Sequence, residues 1–159
     1  MNGNSFDNTM IKQYIRPIAI CIFQHNKQIL VAEAKDDVRN LTFYRPLGGE
    51  IKFGESAETA LKREILEEIN EPIHSIKHLK TLENIFTYRG SKGHEIVFVF
   101  DGKFKNPHIY TKNEFIGFEK DDGWGNFKIV WKSISFFFNH PETPLFPTGL
   151  MEILNKNKE

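Results

Sequence analysis

Apolar residues fall along this 159-residue chain in short runs separated by turn signals, a pattern of strands interrupted by one internal stretch with helical spacing. Ile18 to Phe23 is continuously apolar, and Gln28 to Glu33 is its β-rich counterpart across the polar turn His25-Asn26-Lys27, so the two read as a hairpin. Asp36 to Asn40 follows as a charged loop. Thr42 to Arg45 reads as a short strand, which Pro46-Leu47-Gly48-Gly49 is expected to stop where backbone can come close to a ligand. Glu50 to Glu55 reads as a loop. Downstream, Ile76 to Tyr88 and Glu95 to Phe104 read as strands joined by a glycine-bearing loop at 89–93, and Glu114 to Glu119 pairs with Phe127 to Trp131 around a second such loop. A closing helix is expected from Thr148 to about Asn155, with Leu150, Ile153 and Leu154 on one side.

The internal helix is predicted over Ala57 to Ile69. At about 100° per residue, Ala57, Ala60, Leu61, Ile65 and Ile69 gather on one side. Ser56 is suited to the N-cap, Glu58 to the first turn and Asn70 to a left-handed stop, with Pro72 beyond it. Hairpins combined with one internal and one terminal helix predict an α/β fold, a mixed β-sheet covered by helices. Residues 1–14 are polar without a clear period and read as a flexible leader, which leaves 15–159 as a single domain.

Composition narrows the class. Hydrophobic residues make up 40% and include fifteen phenylalanines, enough to build a core without disulfides. The single cysteine, Cys21, lies inside an apolar run and reads as a buried structural thiol. That lone thiol, and a start at Met1 without the features of a signal peptide, make the cytoplasm the expected location. No apolar run is long enough to span a bilayer as a helix. Lys+Arg and Asp+Glu balance at 21 each, so neither a nucleic-acid polymer nor a membrane is expected as a partner.

The chemistry is therefore sought locally, on the internal helix. Glu64 and Glu68 project into its apolar side, and Glu67 projects at the margin of the same stripe. A solvated acidic face held by i,i+4 pairs accounts for Glu58 and Lys62. It does not account for Glu64 and Glu68, because desolvating like charges beside apolar residues is costly without a cation. Oxygen-only donors favour Mg²⁺, with Mn²⁺ as the alternative, and the absence of Cys and His from the segment argues against zinc.

The spacing Gly49-x5-Glu55-x7-Arg63-Glu64-Ile65-x-Glu67-Glu68-x-Asn70 resembles the Nudix box of the Nudix hydrolases, G-x5-E-x7-R-E-U-x-E-E-x-G-U with U aliphatic. Asn70 stands where the box has glycine, a mild change because asparagine also accepts the left-handed stop, and Glu71 replaces the last aliphatic residue. The resemblance implies an α/β/α sandwich and metal ligation by Glu64, Glu67, Glu68 and the Gly49 carbonyl. It gives Glu55 and Arg63 supporting roles, Arg63 by pairing with the helix carboxylates. It further implies hydrolysis at the diphosphate of a nucleotide-derived small molecule by attack of water at phosphorus. A nucleotide sugar or ADP-ribose-like compound is the leading expectation; removal of damaged nucleoside triphosphates and a non-catalytic nucleotide-binding module are the alternatives. The base that accepts the water's proton is left among Glu67, Glu68, Glu95 and Glu114, with Glu95 weighed against an exposed edge-strand charge. Arg45 is the expected substrate contact. Phe43, Phe86 and Tyr88 are weighed as base-stacking groups against core packing, and Asp121, Asp122 and Trp124 as base readers against a plain turn. Some family members dimerise, so a homodimer is one option for assembly.

Overall fold

The computed structural model describes residues 13–120 and 125–156. Its strands are β1 (Arg16–Ile22), β2 (Gln24–His25), β3 (Gln28–Asp36), β4 (Leu41–Glu50), β5 (Ile73–Tyr88), β6 (Ser91–Phe104), β7 (Glu114–Glu119) and β8 (Gly125–Ser133). Its helices are α1 (Ala57–Ile69), α2 (Ile134–Asn139) and α3 (Leu150–Lys156), with a 3-10 turn at Pro107–Thr111. The strands lie in the order β5-β6-β1-β4-β3-β8-β7, with β2 attached to β3. β1 runs parallel to β6 and antiparallel to β4, so the sheet is mixed.

Both faces of this sheet are covered, which is why Ile18 to Phe23 is apolar without alternation. On one face Ile18, Ile20 and Ile22 pack with Val97, Val99 and residues of α2 and α3, including Phe137, Leu150 and Leu154. On the other, Ala19, Cys21 and Phe23 pack with Leu61 and Ile65 of α1 and with Trp131. The result is the α/β/α sandwich with a mixed sheet that the sequence led us to expect.

α1 has the expected ends. Ser56 caps it by accepting the Thr59 N–H, and Asn70 stops it at φ 55°, ψ 37°. Three local expectations change. The first hairpin closes only at its tip, where β2 pairs with β3 across Asn26 and Lys27, while β1 pairs with β4 and β6. Pro46 does not stop β4: the strand's first half pairs with β3 as far as Pro46, and its second half, from Leu47, pairs with β1. Proline, which cannot donate to a ladder, thus sits where the strand changes partners. Finally, α2 occupies a stretch to which the sequence reading assigned no helix; Ser133 caps it through the Phe136 N–H.

Candidate active site

β4 delivers the chain to α1 through the 51–56 loop, and two glycines set how closely strand and helix approach. Gly48 has φ 145°, and a β-carbon there would overlap the Ala19 carbonyl oxygen of β1. A β-carbon on Gly49 would collide with the Glu64 carboxylate. The strand can therefore lie against the acidic side of α1 only with glycine at these positions.

Arg63 ties the loop to the helix. Its Nε and Nη2 donate to Glu55 at 2.6 and 3.0 Å, and Nη2 also donates to the Glu50 carbonyl at 2.9 Å. Its Nη1 donates to Glu64 at 2.7 Å and to Glu67 at 3.2 Å. Glu55 accepts the Lys52 N–H as well, at 2.9 Å, and the Arg63 and Lys52 donors together hold its carboxyl down at about 2. Arg63 is in turn held more firmly in its charged form, first by Glu55. The two residues thus tie the 51–56 loop to α1 and to the Glu64 and Glu67 carboxylates.

Glu64 and Glu68, one helical turn apart, are buried at 6% exposure each. Glu119, at the end of β7, joins them, and the three offer carboxylate oxygens that all lie within 4.8 Å of one another. Burial pushes the Glu68 carboxyl well up, reinforced by Glu119 and Glu64 and opposed by Arg45 and the Gly48 N–H. Glu64 is raised as well, by burial above all, against the pull of Arg63. Glu68 Oε2 is enclosed with no hydrogen-bond partner among the described residues. An enclosed, orphaned carboxylate oxygen facing two more carboxylates fits a divalent cation coordinated by oxygen.

Glu119 escaped the sequence reading, since a glutamate closing a strand carries no local mark; only the docking of β7 beside α1 brings it in. Glu67 differs from expectation in the other direction. It lies outside the buried stripe, on the exposed side of α1, and shares Arg63 with Glu64. The 100° step carries it past the apolar margin towards Arg63, its i−4 neighbour. Glu114, on the same strand as Glu119, is exposed and pairs with Lys128 at 3.4 Å, away from the acidic cluster.

Arg45 lines the small pocket at the cluster together with Arg16, Gly48, Gly49, Glu68 and Glu119. Arg16 and Arg45 also line a larger neighbouring cavity of about 460 Å³. Glu95 lies in that cavity, buried at 3% exposure; it is not the exposed edge-strand charge weighed against its role. It sits two residues along β6 from Val97 and so points to the α2/α3 face, opposite α1. Phe43, Phe86 and Tyr88 line the same cavity. Asp121, Asp122 and Trp124 lie outside the described residues. Cys21 is fully buried, and burial pushes its thiol well up, as a structural residue requires.

The sequence model of the NUDIX domain matches residues 14–130. The chain belongs to the Nudix family. Solved structures share its fold at low identity. A NUDIX hydrolase from Nitrosomonas europaea aligns at TM-score 0.59 and 17% identity, covering 91% of this chain and 88% of that one. A MutT protein from Methanosarcina mazei Go1 aligns at 0.58 and 16%, covering 94% and 99%. A putative nudix hydrolase family member from Chromobacterium violaceum aligns at 0.53 and 21%, covering 92% and 79%. As a Nudix hydrolase the chain acts on phosphorus-containing acid anhydrides, a pyrophosphohydrolase in general kind. Divalent-metal use is typical of the family, and a cluster of acidic residues, Glu64, Glu68 and Glu119, is present. Among the described residues no helix is long and apolar enough to cross a membrane.

Proposed function

We propose that this Nudix hydrolase cleaves the diphosphate linkage of a nucleoside diphosphate derivative, a nucleotide sugar or an ADP-ribose-like compound, with Mg²⁺ as its cation and Mn²⁺ as a substitute. The observation that carries the reading is the shape of the cleft around Arg16. One cavity of about 460 Å³ and another of about 440 Å³ share Arg16, Phe86, Tyr88 and Glu95, and the first adjoins the acidic pocket through Arg16 and Arg45. A diphosphate with an organic group at each end needs two such spaces beside its phosphates; a nucleoside triphosphate needs one. Both volumes lie in the range of small-molecule sites.

In this reading Glu64, Glu68 and Glu119 would hold the cation, with the Gly49 carbonyl and Glu67 as the further donors the resemblance implies. A bound divalent cation supplies neutralisation of the phosphate charge and a more acidic water. Arg45 and Arg16 orient the diphosphate beside the cluster, and guanidinium forks suit phosphate oxygens. The proton of the attacking water passes to a carboxylate drawn from Glu67, Glu68 and Glu119. Arg63 and Glu55 keep the wall rigid.

The test is product identification over nucleotide sugars, dinucleotides and nucleoside triphosphates, with Mg²⁺ and with EDTA. A nucleoside monophosphate plus a phosphorylated second product, formed only with the cation, is expected. Inorganic pyrophosphate released from triphosphates as the preferred reaction would instead establish nucleotide-pool sanitation. No turnover of any of them would leave a nucleotide-binding module.

A further inference from the structure

The larger cavity has a polar floor that the hydrolytic site does not use. Asn84 on β5 lies directly opposite Glu95 on β6, and Glu95 lies opposite Arg16 on β1, so the three form one row across adjacent strands. Asn84 and Glu95 are both more than nine-tenths buried, and both line the cavity. Asn84 Nδ2 donates to Glu95 Oε2 at 3.3 Å, while Arg16 Nη1 stands 3.9 Å from Glu95 Oε1 and compensates its charge. A carboxylate can only accept, so the contact fixes the amide orientation: the nitrogen faces Glu95 and the Asn84 oxygen is left as an acceptor. Above this floor stands an aromatic wall. The Phe43 ring lies 5.5 Å from Phe146 and 5.9 Å from Tyr88, centroid to centroid. Arg45 and Arg16 close the end of the cavity nearest the acidic cluster.

We infer that this cavity is the nucleobase subsite and that the Asn84–Glu95 pair selects bases carrying an amino group, adenine, guanine or cytosine, over uracil. The inference rests on the reading of the chain as an enzyme for nucleoside diphosphate derivatives and adds the base to it. The rings of this wall meet at 56° and 81° and so offer edges as well as faces, and such a surface favours a flat ring over a sugar, since aromatic rings pack offset or edge-on with little ordering cost. Acceptors on the floor then demand donors on the ring edge. Adenine and cytosine offer an exocyclic amino group, and guanine offers an amino group beside a ring N–H. Uracil offers a single ring N–H flanked by two carbonyl oxygens, which would face the carboxylate and the amide oxygen. Buried acceptors left facing acceptors are the condition under which a polar site rejects an analogue strongly. The adjoining cavity, which shares Arg16, Phe86, Tyr88 and Glu95 but lacks Asn84 and Phe43, is left for the second organic group.

The inference is tested by calorimetric titration of the full chain with AMP, GMP, CMP and UMP in EDTA, where hydrolysis cannot occur. Its outcome is therefore separate from the product panel: base selection without turnover would overturn the hydrolytic reading alone, and turnover without base selection this one alone. At least one amino-bearing monophosphate is expected to bind roughly tenfold or more tighter than UMP. Glu95→Gln, which puts a donor where an acceptor stood, should erase that preference without weakening UMP. Because Glu95 is buried, thermal melting accompanies the variant. Thr148→Trp, an exposed change at the cavity mouth, provides a second check and should weaken all four ligands. UMP binding as tightly as the best of the others to the wild-type chain would overturn the inference whatever the variants do. So would an unchanged ranking in folded Glu95→Gln, or unchanged binding in Thr148→Trp.

Discussion

Glu68→Gln replaces a carboxyl that burial and its acidic neighbours push well up, enclosed on α1 facing Glu64 and Glu119, where one of its oxygens has no hydrogen-bond partner among the described residues. A buried acceptor left unsatisfied costs about 1–3 kcal/mol, and more when charged. Glutamine has nearly the same shape and brings an N–H₂ group that can donate to either neighbouring glutamate. In EDTA at neutral pH the variant is therefore expected to be about 1–3 kcal/mol more stable than wild type, a rise in Tm of about 2–4 °C per kcal/mol for a chain of this length. With Mg²⁺ that lead should close or reverse. A cation at about a hundred times its Kd stabilises the wild-type fold by about 2.7 kcal/mol, and loss of a ligand should remove most of that gain from the variant. Hydrolysis of the substrate found in the product panel should fall by roughly two orders of magnitude or more, as for other groups that stabilise charge in a transition state. Paired melting curves in EDTA and in Mg²⁺, with turnover on the same preparations, make the assay. A variant that melts lower than wild type in EDTA would refute the claim that burial and like-charge repulsion strain this cluster. A variant with the full Mg²⁺ shift and full turnover would refute the assignment of Glu68 to the cation.

Gly49→Ala should displace the Glu64 carboxylate, because the added methyl takes its space while Arg63 holds it from the other side; the apparent Mg²⁺ affinity, read from melting against metal concentration, should fall about tenfold, the scale of disturbing groups that orient metal ligands. Asp36, buried at the end of β3, accepts the Val38, Arg39 and Arg89 N–H groups and the Arg39 Nε at 2.8–3.2 Å. Burial pushes its carboxyl up, but the Arg39 side chain and these backbone donors outweigh that and hold it down at about 2. A folded value below the unfolded one of about 3.9 means that its contribution is complete above about pH 4 and fades as the pH falls through about 2. The urea midpoint of wild type minus that of Asp36→Asn should accordingly shrink over that window, and a difference constant with pH would contradict the assignment.

Much of α1 was legible in the sequence because its information is local. The Ser56 cap, the apolar stripe and the Asn70 stop are set by bonds and projections within a few turns, and the helix spans Ala57–Ile69 as its periodicity predicts. The burial of Glu64 and Glu68 was legible for the same reason, by their position in that stripe. The partner exchange of β4 at Pro46 was not, since the pairing of each half depends on strands distant along the chain. Nor was the face on which Glu95 lies: alternation along β6 is visible in sequence, but which parity meets α1 is set only when the sheet is assembled.

The sequence by itself determined the family, through the spacing of Gly49, Glu55, Arg63, Glu64, Glu67 and Glu68, and pointed to three glutamates on the buried side of α1, of which Glu64 and Glu68 are buried. Tertiary structure decided which carboxylates actually meet. It brought in Glu119 from β7, left Glu67 on the exposed side with Arg63, and turned Glu95 to the opposite face beside Asn84 and Arg16. Helical periodicity fixes directions over a few residues, whereas convergence of groups some fifty positions apart depends on strand order and register, which short-range preferences do not encode.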